Sequence, residues 1–371
     1  MWNKFVIACF YHFFQIWARL FPARPIALKR AVFKKILVFS AAGIGDTLTD
    51  SVAIGAIKGT FPLARVAVVV HARRAVLIEH NPMVDEIFRY RKSPFCFFSL
   101  LGKLRRFHPD VIVMLRGNDP DLWPLAYLVN RDAIVSCPVM TRFKFLISHP
   151  VELPDWDRTH GVEQTLEIAR VLGAHTEDKR LIYRVTDAEA EAVFEKCRGM
   201  GLDLRRTVVF QLGGGLRSLW RDWPAAYYAE LGNRLLSRYE AQLALTGGPE
   251  HRPKEREVTA AMSQPAFSMI DRLNLSEVAA MLTWAPILVS TDTGVMHIGF
   301  AVCRNVLALI HCNNPISRVG PYGYGDQHQV AQLEPPPGTP VSTSVSMSLL
   351  TPDQVWPKLE QLCERNGFKR R

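Results

Sequence analysis

Short apolar runs, each closed by a glycine or polar turn and followed by a helical pattern, occur in two successive series along this chain. No other feature restricts its fold as strongly. The first series runs through 35–39, 65–70, 86–90, 110–115 and 133–136; the second through 207–211, 241–245, 266–270, 287–290 and 305–310. The runs are rich in Val, Ile and Leu with little alternation, the pattern of strands buried on both faces, as in parallel sheets. Helical stretches at 47–58, 95–107, 160–172, 187–200 and 225–239 supply crossovers, so the fold class is α/β with doubly wound sheets.

A chain of 371 residues is long for one core, which favours two domains. Residues 173–186 look like the crossing between them. The expected division is a basic N-terminal segment (1–30), a first Rossmann-like domain (31–180), a second (181–350) and a C-terminal helical segment (351–371).

The turns at the strand ends carry the chemistry. Ile287–Ser290 runs into Asp292, Thr293 and Gly294, and a helix follows from Val295. Thr293 is placed to cap it. The helix start offers unpaired N–H groups and partial positive charge to an anion, and His297 lies one turn in. An ordinary capped strand–helix junction is the competing reading. In the same series, 207–211 leads to Gly213-Gly214-Gly215, Arg217 and Arg221, and 241–245 leads to Thr246-Gly247-Gly248-Pro249-Glu250. These turns are expected to line one crevice at the carboxyl edge of a sheet. A planar guanidinium at Arg221 or Arg217 suits a phosphate, although surface arginines are commonly just solvated.

In the first series, 35–39 leads to Gly43, Gly45 and Asp46. The third glycine of the dinucleotide fingerprint is replaced by Leu48, so the turn is not read as a nicotinamide cofactor site. Asp46 is expected at a helix start, where a carboxylate also has an ordinary electrostatic role. Asp119-Pro120-Asp121 and Asp155-Trp156-Asp157 have the Asp-x-Asp spacing of metal-dependent sugar transferases but lie in Pro-containing loops, and are read as turn residues.

Net charge is +10, and residues 1–35 hold Lys4, Arg19, Arg24, Lys29, Arg30, Lys34 and Lys35 without one acid. Within 5–21, Val6, Phe10, Phe13, Trp17 and Leu20 fall on one helical face, with Lys4, Tyr11, Gln15 and Arg19 opposite. The run is short for crossing a bilayer. The expectation is a helix lying on an anionic membrane surface; a helix packed on the protein's own core is the alternative. No zinc-finger spacing, RNA-binding aromatic signature or helix-turn-helix argues for nucleic acid. Seven scattered cysteines without a Cys-x-x-Cys fit a reducing compartment better than disulfides or a structural metal.

The two domains with facing crevices suggest a transferase holding an activated nucleotide donor on one side and an acceptor on the other. In order along residues 34–325, the chain resembles glycosyltransferase family 9, the ADP-heptose:lipopolysaccharide heptosyltransferases of the GT-B fold. The resemblance rests on Gly45-Asp46, Phe61-Pro62-x-Ala64-Arg65, Asn81-Pro82-x-Val84-Asp85-Glu86 and Arg221-Asp222-Trp223-Pro224. It continues through Thr246-Gly247-Gly248-Pro249, Leu275-Ser276-Glu277-Val278, Asp292-Thr293-Gly294-x-Met296-His297 and Gly320-Pro321-Tyr322-Gly323.

The resemblance implies two domains facing a central cleft and an inverting, metal-independent sugar transfer with no cofactor beyond the ADP-sugar donor. It makes Asp46 the general base, Arg221 a second catalytic residue that stabilises the departing diphosphate, and Gly43 and Gly45 the acceptor-side turn. It puts Gly213, Gly214, Arg217, Arg221, Asp292, Thr293, Gly294, Met296 and His297 around the donor. Glu250 then meets the ribose and the backbone near Leu273 the base. Arg221 stands where many members carry Lys, and Gly213–Gly215 replace hydroxyl residues found in some members. The C-terminal helix is expected to brace the first domain. The acceptor implied is a lipid A–core glycolipid, and the place of action the cytoplasmic face of the inner membrane. A nucleotide-sugar epimerase, or a transferase of another nucleotide sugar, is the alternative.

Overall fold

The near-continuous apolar runs leave no polar side for a sheet to turn to water, and each of the two sheets is accordingly parallel and covered by helices. The computed structural model describes residues 4–28 and 32–371, and within these not the side chains of 4–7 and 216–218. The chain divides after Ile182 into two units, two residues beyond the expected boundary.

The first unit contains α1 (Lys4–Leu20), β1 (Lys35–Ala41), α2 (Ile44–Thr60), β2 (Arg65–His71), β3 (Glu86–Tyr90), α3 (Pro94–Phe107), β4 (Val111–Gly117), α4 (Leu122–Asn130), β5 (Ile134–Ser136), β6 (His149–Pro150) and α5 (Gly161–Arg170). Its sheet order is β3-β2-β1-β4-β5-β6, with every neighbouring pair parallel. Order reverses at β1, the switch point at which open α/β sheets present a crevice. The short edge strand β6 had no apolar run to announce it.

The second unit contains α6 (Asp187–Gly199), β7 (Thr207–Gln211), α7 (Ala225–Arg238), β8 (Gln242–Thr246), α8 (Arg252–Ala261), β9 (Phe267–Ser268), α9 (Leu275–Trp284), β10 (Ile287–Thr291), α10 (Gly294–Val302), β11 (Asn305–Ile310), α11 (Ile316–Val319), β12 (Gln329–Gln332) and α12 (Pro352–Arg365). Its parallel order is β12-β11-β10-β7-β8-β9. The switch point lies between β7 and β10, whose following turns are the glycine run and the Asp-Thr-Gly turn.

Each terminal helix packs an apolar face within its own unit. Val355, Leu359, Leu362 and Cys363 are buried in the second unit's core with Leu235, Leu307 and Trp223. The indole of Trp223 donates to the carbonyl of Leu350 at 2.7 Å, tying the entry to α12 to the same unit. The N-terminal helix packs one side on the first unit. Phe10, Tyr11, Phe14 and Trp17 turn toward the first unit, so Tyr11 is on the packed face, not the polar one. Phe13 and Leu20 are exposed. Lys29 and Arg30 lie outside the described residues.

Candidate active site

Hydrogen bonding of the β7–β10 pair sets two turns distant in sequence side by side. An added Cβ on Gly214 would lie 3.2 Å from Cγ2 of Thr293, so only glycine admits this approach without movement. One on Gly213 would lie 2.7 Å from Oδ1 of Asp222 and 2.9 Å from Nε2 of His251. Gly213 and Gly214 are therefore steric requirements of the packing, whereas Gly215 has open space.

Thr293 caps α10 as expected: its hydroxyl accepts from the Met296 amide at 3.4 Å and lies 3.2 Å from the Ser290 hydroxyl. The cap satisfies one of the helix's orphan donors and leaves the first-turn amides of Gly294 and Val295 outside it. Met296 is corrected as a donor-binding residue. Its side chain is fully buried and its amide is taken by the cap, so it packs the core beneath the turn.

Asp292 is buried, and its Oδ2 accepts from Nη1 of Arg221 at 3.0 Å and from the Asn314 amide at 2.6 Å. Its Oδ1 lies 3.8 Å from Nε2 of His297, an electrostatic contact too long for a hydrogen bond. Burial opposes ionisation here, but His297, Arg221 and Asn314 together outweigh it and hold the carboxyl below the ordinary carboxylate range. Arg221 also donates to the main-chain carbonyl of Asp292 at 3.2 Å, across 71 residues, and its guanidinium stacks 4.5 Å over Trp220. These contacts leave Nε of Arg221 buried without an acceptor. A buried donor without a partner is costly, so the pairing of Nη1 with Asp292 and the stacking on Trp220 fix this guanidinium at the expense of its Nε–H. A carboxylate repels a diphosphate, so Asp292 suits the task of holding Arg221, His297 and Asn314 in place. Arg217 lies outside the described side chains.

His251, which sequence reasoning passed over, links two glycine turns. Its Nδ1 accepts from the Gly248 amide at 3.0 Å, so Nε2 carries the proton, donated to the Gly214 carbonyl at 3.0 Å. Lys254 is a second omission. Its ammonium pairs with Asp222 at 2.7 Å and lies 5.0 Å over the Tyr228 ring; burial lowers its pKa against the pull of Asp222. Gly214, Asp222, Glu250, His251 and Lys254 line a cavity of about 310 Å³. Gly214 is thus shared by this cavity and the Thr293 turn. Leu273 is half-buried in the turn before α9, at the same sheet edge but beyond β8. The Thr-Gly-Gly-Pro-Glu run flagged this region, but no spacing rule could show that a histidine and a lysine just after it turn back into the cavity.

In the first unit, α2 begins at Ile44, three residues earlier than its pattern suggested. Gly45 is therefore inside the first helical turn, and Gly43 is the N-cap. Asp46 is half-buried and its Oδ2 accepts from the Gly43 amide at 3.1 Å, the ordinary helix-start role. Among the described residues, no hydrogen bond engages its Oδ1.

One turn on, Asp50 is fully buried; it accepts from the Ser40 hydroxyl at 2.6 Å and pairs with Nε of Arg116 at 3.4 Å. Burial raises its pKa from 3.8 to about 7, with Arg116 and Ser40 opposing and Asp46 reinforcing the rise. This second carboxylate was legible only as a charge on the buried face of α2. The Asp-x-Asp at 119–121 is split: Asp119 pairs with Lys92 at 2.7 Å, while Asp121 is buried under the Tyr90 hydroxyl at 2.8 Å. Asp121 is thus a turn residue, as read, standing at the N-cap of α4 with its carboxylate buried.

Two doubly wound parallel units, with an anion-compatible turn at the switch point of the second, define an enzyme of the GT-B glycosyltransferase class. Residues 143–339, more than half of the chain, match the family described as glycosyltransferase family 9 (heptosyltransferase), and the chain belongs to that family. It is similar to lipopolysaccharide heptosyltransferase 1 of Pseudomonas aeruginosa, at 24% identity over 79% of this chain and 83% of the relative. Among solved structures it resembles a family 9 glycosyltransferase from Veillonella parvula, with TM-score 0.77, 19% identity, and coverage of 90% of this chain and 97% of that one. It also resembles the ADP-heptose lipopolysaccharide heptosyltransferase II of Escherichia coli, with TM-score 0.73, 20% identity, and coverage of 89% and 99%.

Proposed function

We propose that this glycosyltransferase moves a heptose from ADP-heptose to a lipopolysaccharide core acceptor, with inversion and without a metal ion, at the cytoplasmic face of the inner membrane. The observation that carries this reading is the Arg221 guanidinium, held on Asp292 beside the capped start of α10. A nucleoside diphosphate leaving group gains negative charge as the sugar departs. A fixed guanidinium and a helix N-terminus stabilise that charge without the reorganisation water would need. The names of the similar proteins support heptose as the sugar and ADP as its carrier.

In the proposed step the acceptor hydroxyl oxygen bonds to the anomeric carbon while the bond to the diphosphate oxygen breaks. The electron pair leaves with the diphosphate, and the hydroxyl proton passes to Asp46. A single displacement of this kind inverts the anomeric centre. Arg221, His297 and the amides of Gly294 and Val295 receive the diphosphate, and Asp292 holds the Arg221 and His297 side chains. Glu250 accepts from the ribose hydroxyls, and the backbone near Leu273 meets the adenine. Among the described residues, no helix is long and apolar enough to cross a membrane. Attachment at the membrane surface is thus part of the proposal.

Labelled heptose transfer from ADP-heptose to a lipid A–core acceptor tests the reading. Turnover should survive EDTA and give the inverted anomer by NMR. It should fall by about a thousandfold in Asp46→Asn while ADP still binds. Tighter binding of UDP than ADP, or near-normal turnover in Asp46→Asn, would refute the donor or base assignment respectively.

A further inference from the structure

The first unit carries an apolar surface that no described element covers. Helix α1 is anchored by one side: Phe10 meets Phe97 of α3 at 6.1 Å, and Tyr11 meets Phe143 and Phe145 at 5.4 and 5.3 Å. The end of the helix is tied too, since the Tyr127 hydroxyl donates to the Phe21 carbonyl at 2.5 Å. With that side spent, Phe13, Ile16 and Leu20 remain 54%, 59% and 68% exposed. They are spaced 3 and 4 residues apart, so they form one stripe. On α3, Phe95 and Phe98 are 90% and 69% exposed, and they flank the Phe97 that holds α1. Soluble surfaces rarely expose so many large apolar side chains together without a partner.

The charge around this surface is predominantly basic. Residues 4–28, 91–109 and 133–151 contain ten lysines and arginines; acids meet them at Asp119, paired with Lys92 at 2.7 Å, and at Asp132, which accepts from the Arg24 amide at 2.6 Å. Arg142 lies over the ring of Tyr11 at 5.6 Å, at the margin of the patch. A second copy docked through the same face would set these bases against each other, which disfavours self-association. An anionic leaflet offers the opposite charge to the bases and a hydrocarbon boundary to the aromatics.

We infer that α1 and the start of α3 form one rigid face that docks on an anionic phospholipid bilayer, inserting Phe13, Ile16, Leu20, Phe95 and Phe98. The inference rests on the reading of the enzyme as acting on a glycolipid, and it locates the contact on two elements far apart in sequence. A composite face holds the whole first unit in a set orientation, which a loose N-terminal tether does not.

The test is co-sedimentation of the full chain with phosphatidylcholine vesicles, with and without phosphatidylglycerol. Two paired variants, Ile16→Ser/Leu20→Ser and Phe95→Ser/Phe98→Ser, change exposed side chains, so folding is retained. Wild type should bind the anionic vesicles more tightly than the neutral ones. Each pair should weaken that binding by about tenfold or more. Loss in the α1 pair alone, binding equal to wild type in both pairs, or a wild-type dimer dissociated by either pair would overturn the composite face. Turnover of a water-soluble, deacylated acceptor should be unchanged in both pairs. Absence of that turnover in wild type would count against the proposed transfer, not against the docking face.

Discussion

Replacing Asp50 with Asn removes the one fully buried carboxylate in α2 that titrates near neutrality. Its pKa rises from 3.8 in the open chain to about 7 in the folded protein, chiefly through burial. The folded state therefore binds more protons than the unfolded state throughout that interval, and stability falls as pH rises from about 4 to about 7, then levels off. The gap between the two values is worth ~4 kcal/mol, of which ~3 kcal/mol falls between pH 5 and 8. Asn keeps an acceptor for the Ser40 hydroxyl but cannot ionise. Denaturant unfolding of both proteins from pH 5 to 8 checks this, since all other titrating groups cancel in the difference. The variant should gain on the wild type by ~3 kcal/mol over that range. Parallel stability curves would show that Asp50 does not titrate there and that burial is not its governing term.

The site supports three further expectations. Gly213→Ala places a methyl 2.7 Å from Oδ1 of Asp222 and 2.9 Å from Nε2 of His251, so both must move; calorimetry should find ADP binding weakened by roughly tenfold. His251→Leu removes both hydrogen bonds joining the glycine turns; ADP affinity should drop by ~1–2 kcal/mol, and unchanged affinity would mean the turns hold their positions without it. Arg221→Lys keeps the charge but loses the planar fork and the buried Nε–H; turnover at saturating donor should fall about a hundredfold, and full activity would show that charge alone suffices.

The α/β class, the ten main strands and the division near residue 180 were all legible in the chain. Each depends on patterns a few residues long: apolar runs such as 65–70 and 305–310 admit only buried strands, and glycine or polar turns end them. The Thr293 cap was legible for the same reason, because an N-cap is a contact across three residues. Edge strands β6 and β12 were not, since a short strand carries too little apolar sequence to stand out.

The assembly of the site was a different matter. Asp46 and the 292–297 turn were recognisable as residue types at strand ends, but their partners depend on which strands become neighbours. Pairing β7 with β10 brings Gly214 against Thr293 and Arg221 onto Asp292, and that pairing is a long-range choice. The same holds for α1, whose apolar residues suit a bilayer or a protein core equally well by pattern. Tertiary packing assigned Tyr11 and Phe14 to the core and left Phe13, Ile16 and Leu20 outside. Local sequence determined where the chain turns and which side chains stand at the turns, because those depend on backbone sterics and on neighbours within a helical turn. Which of those turns meet, and whether a carboxylate such as Asp292 faces a ligand or an arginine, depends on contacts between distant residues, and only the packed fold decided it.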